Sequence, residues 1–278
     1  MKKLSAIIAT AILIVSLASC ASSQEGDLTS INDYVAPDYT VKAENGTFTF
    51  SEGLGDTAII TDYSGVYTEH EVVIPETIEF QGGVRTVVGI GDEAFYYCTS
   101  VTGVKIPDTV TSIGKNAFTG CNKLASINIP DAVTSIGNAA FQGCEKLQTV
   151  NFGSESKLTA LGNYVFAGCT SLSNITLPSK LESIGDAGFW GCESLTKVEI
   201  PESVKTIGKM AYYFCTGLNT QDCIVLTANI EEIGEFAFSS TRKEYISAPE
   251  GSYAKEYVDA MIDKEEQTTE EETAEITE

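Results

Sequence analysis

Cysteine is the residue type whose chemistry and spacing first need an explanation in this chain. The 278 residues include eight cysteines, and a thiol can form a disulfide, ligate a metal ion or attack an electrophile. Six of them recur at intervals of 23, 23, 25, 23 and 23 residues, at Cys98, Cys121, Cys144, Cys169, Cys192 and Cys215. Such a period is typical of a solenoid, in which each repeat forms one coil of a stack.

Each cysteine belongs to a longer repeated unit, which reads I-P-x-x-V-x-x-I-G-x-x-A-F-x-G-C-x-x-L-x-x-I-x. An aromatic residue precedes each cysteine by three positions, and an aliphatic-glycine pair ends four positions before that aromatic. The aromatic residues are Phe95, Phe118, Phe141, Phe166, Phe189 and Tyr212. Seven coils fit the pattern, and the seventh has Thr241 in place of the cysteine. This number exceeds the roughly three coils that such a stack needs to be stable.

The unit also predicts how one coil is built. Alternating polar and apolar residues in Ser126–Ile129 are typical of a short strand with one buried face. The proline that follows this segment in most coils cannot donate a ladder hydrogen bond, so it ends the strand. Val110 and Ile113 then return to the core, and Gly114 is expected to allow a bend with a positive φ. Like residues of successive coils should lie about 4.8 Å apart.

Over roughly residues 70–241, this unit resembles the BspA-type leucine-rich repeat of bacterial surface proteins. The resemblance implies a leucine-rich-repeat solenoid with a parallel β-sheet on the concave side and short helical or irregular turns on the convex side. It also implies display at the cell surface and, in some members, adhesion to host proteins. It implies no catalytic residues.

The predicted distance between equivalent cysteines of neighbouring coils, and their spacing in the sequence, distinguish between a disulfide, a metal site and free thiols. Equivalent cysteines of neighbouring coils place their Cβ atoms about 4.8 Å apart, whereas a disulfide needs about 3.8 Å. The spacing is not the C-x-x-C of a zinc site, and no histidine is near. We therefore predict a ladder of buried, reduced thiols that act as small apolar side chains. Cys223 lies outside this ladder, and its thiol is expected to be accessible if Ile224 and Leu226 point inward.

His70 is the only histidine, and it lies between Glu69 and Glu71 before a predicted strand. A catalytic triad would need a paired nucleophile and an orienting carboxylate, and no G-x-S-x-G signature occurs. We interpret His70 as a surface or cap residue. The sequence predicts no catalytic residue, no cofactor site and no metal site.

The N-terminus has the features of an export signal. Residues 1–3 are basic at two positions, residues 4–17 are apolar and uncharged, and the stretch is too short to span a bilayer comfortably. The segment 17–20, Leu-Ala-Ser-Cys, resembles the bacterial lipobox, which implies cleavage before Cys20, lipidation of its thiol and a lipid anchor in the cell envelope, with surface exposure. The alternative is a plain secretory signal with an incidental cysteine.

Composition divides the rest of the chain. We predict a lipidated tether over residues 20–40 after a signal peptide over 1–19, an N-terminal β cap over 41–89 and the solenoid over 90–241. Within the cap, residues 62–65 are predicted to form a turn. A C-terminal cap over 242–262 contains a short helix with Ser252 as its N-cap and Tyr253, Tyr257 and Met261 on one side. Residues 263–278 are predicted to be an acidic, disordered tail.

The charge of the chain limits its partners. It has 39 acidic and 17 basic residues, which gives a net charge of −22. Nucleic acid and anionic lipid are disfavoured, because binding to phosphates needs clustered Lys and Arg. The lipid anchor is therefore the only predicted link to a membrane.

Two surfaces of the predicted solenoid could bind a ligand. The outward positions of the sheet are small and polar and lack strong anchor residues; the candidates are Asn128, Asn151, Asn174, Thr176 and Lys197. The position after the core aromatic holds Trp190 and Tyr213 on neighbouring coils, where they are expected to stand side by side as a protein or glycan anchor. The alternative is that these two residues only cover the edge of the core.

Together these patterns favour a non-enzymatic cell-surface lipoprotein whose repeat scaffold binds protein or glycan ligands, for example on a host surface, in an adhesion-type interaction. The alternative is a structural envelope or spacer protein without a dedicated ligand.

Overall fold

The repeats form successive coils that stack through parallel strands in the computed structural model, which describes residues 39–261. The predicted signal peptide, Cys20, the predicted tether up to residue 38 and the predicted acidic tail lie outside the described residues.

An N-terminal β region covers the first coil. Its strands are β1 (Tyr39–Ala43), β2 (Gly46–Glu52), β3 (Thr57–Gly65), β4 (His70–Val73), β5 (Thr77–Phe80) and β6 (Gly83–Ile90). Strands β1, β2 and β3 are antiparallel, β5 and β6 form a hairpin, and β3 joins β6 in parallel. The turn predicted at residues 62–65 is wrong, because this segment continues β3 and pairs with residues 46–49 of β2.

Each coil begins with a short strand at the predicted alternating segment. These strands are β7 (Val101–Lys105), β9 (Ser126–Ile129), β11 (Thr149–Phe152), β13 (Asn174–Ile175), β15 (Val198–Glu199), β17 (Ile224–Val225) and β19 (Ile246–Ser247). All pair in parallel, in the orders β4-β7-β9-β11-β13 and β15-β17-β19. Their apolar side chains face the interior, so the predicted parallel sheet is confirmed.

A second set of two-residue strands stacks on another side of the coils. It consists of β8 (Ser112–Ile113), β10 (Ser135–Ile136), β12 (Ala160–Leu161), β14 (Ser183–Ile184), β16 (Thr206–Ile207) and β18 (Glu232–Ile233). Pairing is in register between like residues, as between Ile113 and Ile136. The sequence predicted only that these aliphatic residues return to the core. The two ladders together connect most neighbouring coils on two sides, with one break in each ladder, between β10 and β12 and between β13 and β15.

The interior is organised around a continuous row of stacked rings, which we call the aromatic file. It contains Phe95, Phe118, Phe141, Phe166, Phe189, Tyr212 and Phe238, with neighbouring ring centroids 4.9–5.5 Å apart. All seven are completely buried. Tyr63 of the β region stacks on the first ring at 5.1 Å, and Tyr257 meets the last ring edge-on at 6.3 Å. Both ends of the file are therefore closed by residues from outside the repeats.

The glycine of the Ile-Gly pair has another role than the predicted one. None of these glycines has a positive φ. A Cβ atom at Gly137 would lie only 2.5 Å from the backbone nitrogen of Lys115, and one at Gly234 only 2.4 Å from that of Lys209. Glycine is needed here because the backbones of two coils approach closely. The predicted bend at positive φ is wrong at this position.

A non-glycine residue with left-handed backbone conformation comes two positions after that glycine in each coil. The residues with positive φ there are Glu93, Asn116, Ala139, Tyr164, Ala187, Met210 and Phe236. The residue between the glycine and the left-handed residue often carries a side-chain oxygen that accepts a hydrogen bond from a backbone N–H of the next coil. For example, Asn138 Oδ1 accepts from the Asn163 nitrogen, and Asn163 Oδ1 accepts from the Asp186 nitrogen, each at 2.9 Å. These bonds hold the irregular turns in the same conformation from coil to coil.

A 3₁₀ turn (Lys243–Tyr245) and helix α1 (Tyr253–Asp259) follow the last coil. The predicted N-cap is confirmed, because the Ser252 hydroxyl accepts from the Lys255 nitrogen at 3.1 Å. Of the three residues predicted to share one side of this helix, Tyr257 and Met261 pack against the core, whereas Tyr253 is 42% exposed. The fully buried residues are Ala254 and Val258.

Tyr212 carries the only hydroxyl in the aromatic file, and this hydroxyl is buried without a hydrogen-bond partner in the described part of the chain. Burial also raises the pKa of Tyr212 well above its usual value. We expect Tyr212→Phe to increase the free energy of unfolding by about 1–2 kcal/mol, because it removes an unsatisfied polar group. Urea unfolding followed by circular dichroism measures this change.

Tyr63→Phe is the matched control, because the Tyr63 hydroxyl bonds Asn45 O and His70 Nε2, each at 2.9 Å. The same atomic deletion should lower stability there. A loss of stability in Tyr212→Phe would show that its hydroxyl is satisfied in solution.

Candidate functional site

Five of the six thiols of the ladder are fully enclosed in the core. Five thiols lie 3.0–3.3 Å from the backbone oxygen of the aromatic residue one coil earlier. The pairs are Cys121 with Phe95, Cys144 with Phe118, Cys169 with Phe141, Cys192 with Phe166 and Cys215 with Phe189. All five cysteines are free and buried, which confirms the predicted ladder for them.

Burial also keeps four of these thiols protonated. It raises the pKa of Cys121, Cys144 and Cys192 well above the usual value, and that of Cys169 to about 12. The thiolate is the nucleophile and the metal ligand, so a neutral, enclosed thiol is inert in both roles. Within residues 39–261, no group of three or more His, Cys, Asp or Glu side chains is placed to hold a metal ion.

Cys223 is buried, with 1% of its surface exposed, so the predicted accessible thiol is wrong. The prediction assumed strict alternation through this segment. Asp222 instead adopts a φ of 54°, and strand β17 begins only at Ile224. This left-handed turn directs the thiol inward, where its sulfur lies 3.6 Å from the Tyr245 backbone oxygen.

Cys98 is the half-buried member of the ladder, and we expect it to react first of the seven described thiols. Burial, with a contribution from Asp62, raises its pKa to about 11. Its rate of alkylation should therefore rise about tenfold per pH unit below that value, because the thiolate fraction rises in this way. The other six should react only when the chain unfolds.

Site-resolved mass spectrometry after iodoacetamide treatment of native and urea-unfolded protein measures these rates. Labelling of Cys144 as fast as that of Cys98 in native protein would contradict the enclosed ladder.

His70 is buried at the start of β4. Its Nε2 lies 2.9 Å from the Tyr63 hydroxyl, and its Nδ1 lies 2.7 Å from the Thr68 backbone oxygen. Both ring nitrogens therefore contact residues within the β region itself, Tyr63 of β3 and Thr68 just before β4. His70 is a cap residue, as one of the two predicted interpretations had it.

Trp190 and Tyr213 meet at the turn side of two neighbouring coils through a third aromatic residue. Trp190 is 41% exposed and lies edge-on to Phe214, with centroids 5.9 Å apart. Tyr213 is half-buried and packs against Phe214 at 4.2 Å. The three rings form the C-terminal aromatic cluster.

A similar pair lies at the other end of the repeats. Tyr96 and Tyr97 are both exposed and lie edge-on, with centroids 4.6 Å apart. They line a shallow cavity of about 490 Å³ together with polar residues of the next two coils, among them Asn116, Asn122 and Gln142. We call Tyr96 and Tyr97 the N-terminal aromatic pair.

Tyr97 and Phe214 were not among the candidate residues predicted from the sequence. Both stand two positions after the core aromatic, where the four coils between them have glycine: Gly120, Gly143, Gly168 and Gly191. The replacement of this repeated glycine by an aromatic residue in the first and last cysteine-bearing coils is visible in the sequence, and it could have identified both residues.

The sheet positions predicted to bind a ligand lie in the strand segment of each coil. Asn128, Asn151, Asn174, Thr176 and Lys197 are all exposed. They partly bond to one another or to neighbours, since Asn151 Nδ2 donates to Asn128 Oδ1 at 2.8 Å and Lys197 pairs with Glu199 at 2.6 Å. They lie on the strand segments, whereas the C-terminal aromatic cluster and the N-terminal aromatic pair lie on the turn side of the coils, so the two predicted surfaces remain separate.

Several known proteins resemble this chain. A leucine-rich repeat protein from T. pallidum is 30% identical, with a TM-score of 0.62, over 76% of this chain and 92% of that protein. One from Eubacterium ventriosum is 27% identical, with a TM-score of 0.61, over 76% of this chain and 51% of that protein. A leucine-rich cell surface protein from Faecalibacterium prausnitzii is 24% identical, with a TM-score of 0.48, over 77% and 76%. No curated protein sequence matches.

The sequence profile of the BspA-type leucine-rich repeat region matches six copies here, over residues 88–219 and 153–257. These matches cover more than half of the chain and coincide with the stacked coils. In the described range, no helix is both long and apolar enough to cross a membrane. The repeat scaffold, its aromatic file and the profile match agree, and the chain belongs to the BspA-type leucine-rich repeat family.

Proposed function

We propose that this protein is exported to the bacterial cell envelope, where its repeat array binds protein or glycan ligands in an adhesion-type interaction. The observation that carries the proposal is the C-terminal aromatic cluster of Trp190, Tyr213 and Phe214. Exposed aromatic side chains bury a large area at low entropic cost and are enriched at binding hot spots. The core of the array is complete without these rings, because the aromatic file fills it.

The family and the side-chain chemistry support a scaffold rather than an enzyme. Five of the six ladder thiols are enclosed, and His70 is engaged through both ring nitrogens. The net charge of −22 directs the proposal toward neutral or basic ligands.

Export and anchoring are supported by the N-terminal sequence, with its short apolar stretch and the Leu-Ala-Ser-Cys segment that ends at Cys20. We expect the protein to incorporate labelled palmitate when it is expressed in a bacterium and to be recovered with membranes. Cys20→Ala should abolish both. Unchanged labelling in Cys20→Ala would contradict the anchor, whereas secretion of an unlabelled wild type would indicate a plain signal peptide.

Binding is tested with the double variant Trp190→Ala/Tyr213→Ala on a mixed array of immobilised glycans and extracellular matrix proteins. We expect wild type to bind at least one ligand saturably and the double variant to lose that binding at an unchanged melting temperature. Tyr67→Ala is the control, because Tyr67 is a fully exposed aromatic outside the repeats. Absence of saturable binding by wild type would favour the spacer function, in which the array only spans distance.

A further inference from the structure

Four glycines form an open strip along the turn side of the coils, which we call the glycine trough: Gly120, Gly143, Gly168 and Gly191. Their φ angles are 70–73°. A Cβ atom at Gly143, Gly168 or Gly191 would approach only the preceding glycine, at 3.7–3.9 Å. The space above these three glycines is therefore open, whereas the Tyr97 ring covers Gly120, where an added Cβ would lie 2.8 Å from Tyr97 Cδ1.

The trough ends at an aromatic residue on both sides. Tyr97 and Phe214 occupy the glycine position of the first and last cysteine-bearing coils with φ angles of 53° and 58°. The left-handed conformation favours glycine, so a bulky residue at this position carries a cost in backbone energy that the four central coils avoid. The rings do not compensate by filling the core, because Tyr97 is 59% and Phe214 is 48% exposed.

The N-terminal half of the surface between the two aromatic groups is mostly polar. It is lined by Asn116, Asn122 and Gln142 beside one acid, Glu145. The Gln142 amide makes no hydrogen bond to another described residue. A ligand here thus meets ring faces at both ends and amide groups near the first of them.

The backbone of the trough offers no free edge to a peptide. The nitrogens of Gly120, Gly143 and Gly168 already donate to the next coil at 2.7–2.8 Å. The oxygens of Gly120 and Gly143 accept from Asn122 and Glu145 at 2.8–2.9 Å. Binding of an extended peptide as an added strand needs such groups free. The contacts that remain are ring faces, amides and hydroxyls, which suit a polyhydroxylated ligand.

Distance and charge restrict the ligand further. Five coil steps separate Tyr97 from Phe214, which is about 24 Å at the usual spacing of paired strands. A single sugar cannot contact both ends, whereas a linear chain can. The net charge of −22 opposes an anionic polymer.

We propose that the glycine trough binds a neutral, linear oligosaccharide that lies along the coils, with sugar rings stacked on the N-terminal aromatic pair and on the C-terminal aromatic cluster. This inference rests on the proposed function and specifies its ligand class. Because the two aromatic groups act on one chain, affinity increases with oligomer length until the ligand reaches both.

The test is calorimetric titration of the full protein with cello-, malto- and chito-oligosaccharides, from dimers to octamers. We expect one of these series to bind, with the longest oligomers binding most tightly. Tyr97→Gly and Phe214→Gly, which restore the residue of the central coils, should each weaken binding of the longest oligomer about tenfold or more without lowering the melting temperature. Phe236→Gly is the matched control, because Phe236 is exposed and left-handed at a different position of the coil.

Equal affinity for short and long oligomers, unchanged binding in the variant carrying both substitutions, or tighter binding of heparin than of any neutral series would overturn the proposal. If no oligosaccharide binds while a protein ligand does so through Trp190 and Tyr213, the proposed function stands and this inference alone is wrong. If no ligand of any class binds, both are wrong.

Discussion

Replacement of Gly137 by alanine is expected to lower the free energy of unfolding by about 3 kcal/mol or more. The added Cβ would lie 2.5 Å from the Lys115 nitrogen and 2.7 Å from the Gly114 carbonyl carbon. Both are backbone atoms, so the clash is relieved only if two coils separate. Separation would also weaken the bond from the Gly137 nitrogen to the Ile113 oxygen, which is 2.8 Å long. Urea unfolding measures the loss.

Gly143→Ala is the matched control for this prediction. Gly143 has a φ of 70°, but an added Cβ would meet no atom closer than 3.8 Å. Its cost should be only that of a left-handed alanine, about 1–2 kcal/mol. Equal losses in the two variants would show that conformation, and not close approach of the coils, explains the glycine of the Ile-Gly pair.

Removal of a ring from the middle of the aromatic file should have an effect of similar or greater size. Phe141→Ala is expected to cost about 3–5 kcal/mol, because it deletes a fully buried ring and leaves a cavity. The Phe141 ring lies 5.1 Å from Phe118 and 5.5 Å from Phe166, so two stacked contacts are lost. In a repeat array each coil is stabilised by its neighbours. The variant should therefore weaken the coupling between its two halves.

The measurement is unfolding followed both by near-ultraviolet and by far-ultraviolet circular dichroism, where uncoupling would appear as two separate transitions. Phe236→Ala is the control, since this phenylalanine is exposed and its removal should change stability by no more than about 0.5 kcal/mol. A comparable loss in both variants would contradict the special role of the file.

Features that repeat in sequence were predictable, because the same residue meets the same environment in every coil. The core position of Phe118 and Cys121 follows from periodicity alone, as does the parallel pairing of Ser126–Ile129 with its neighbours. The role of Gly114 did not follow, because a bend and a close approach both select glycine.

The predictions that proved wrong concern residues at which tertiary contacts override a local sequence rule. Residues 62–65 have the composition of a turn, but pairing with β2 keeps them extended. The predicted exposure of the Cys223 thiol was wrong because Asp222 is left-handed and interrupts the alternation of inward and outward residues before β17. The candidate site shows the same limit: Trp190 was found from its type, whereas its contact with Phe214 depends on a side-chain direction that spacing does not fix.

Helix α1 has a consequence beyond its own packing. Because every coil pairs with the next through the same strands, the stacking of coils does not end by itself. An uncovered terminal coil would expose unpaired strands, to which the first coil of another molecule could add. Val258 and Tyr257 lie against the end of the array, and the Tyr253 hydroxyl approaches the Ile233 nitrogen of β18 at 3.5 Å. About two turns of helix thus cover the terminal coil and oppose the end-to-end stacking of molecules into a fibre.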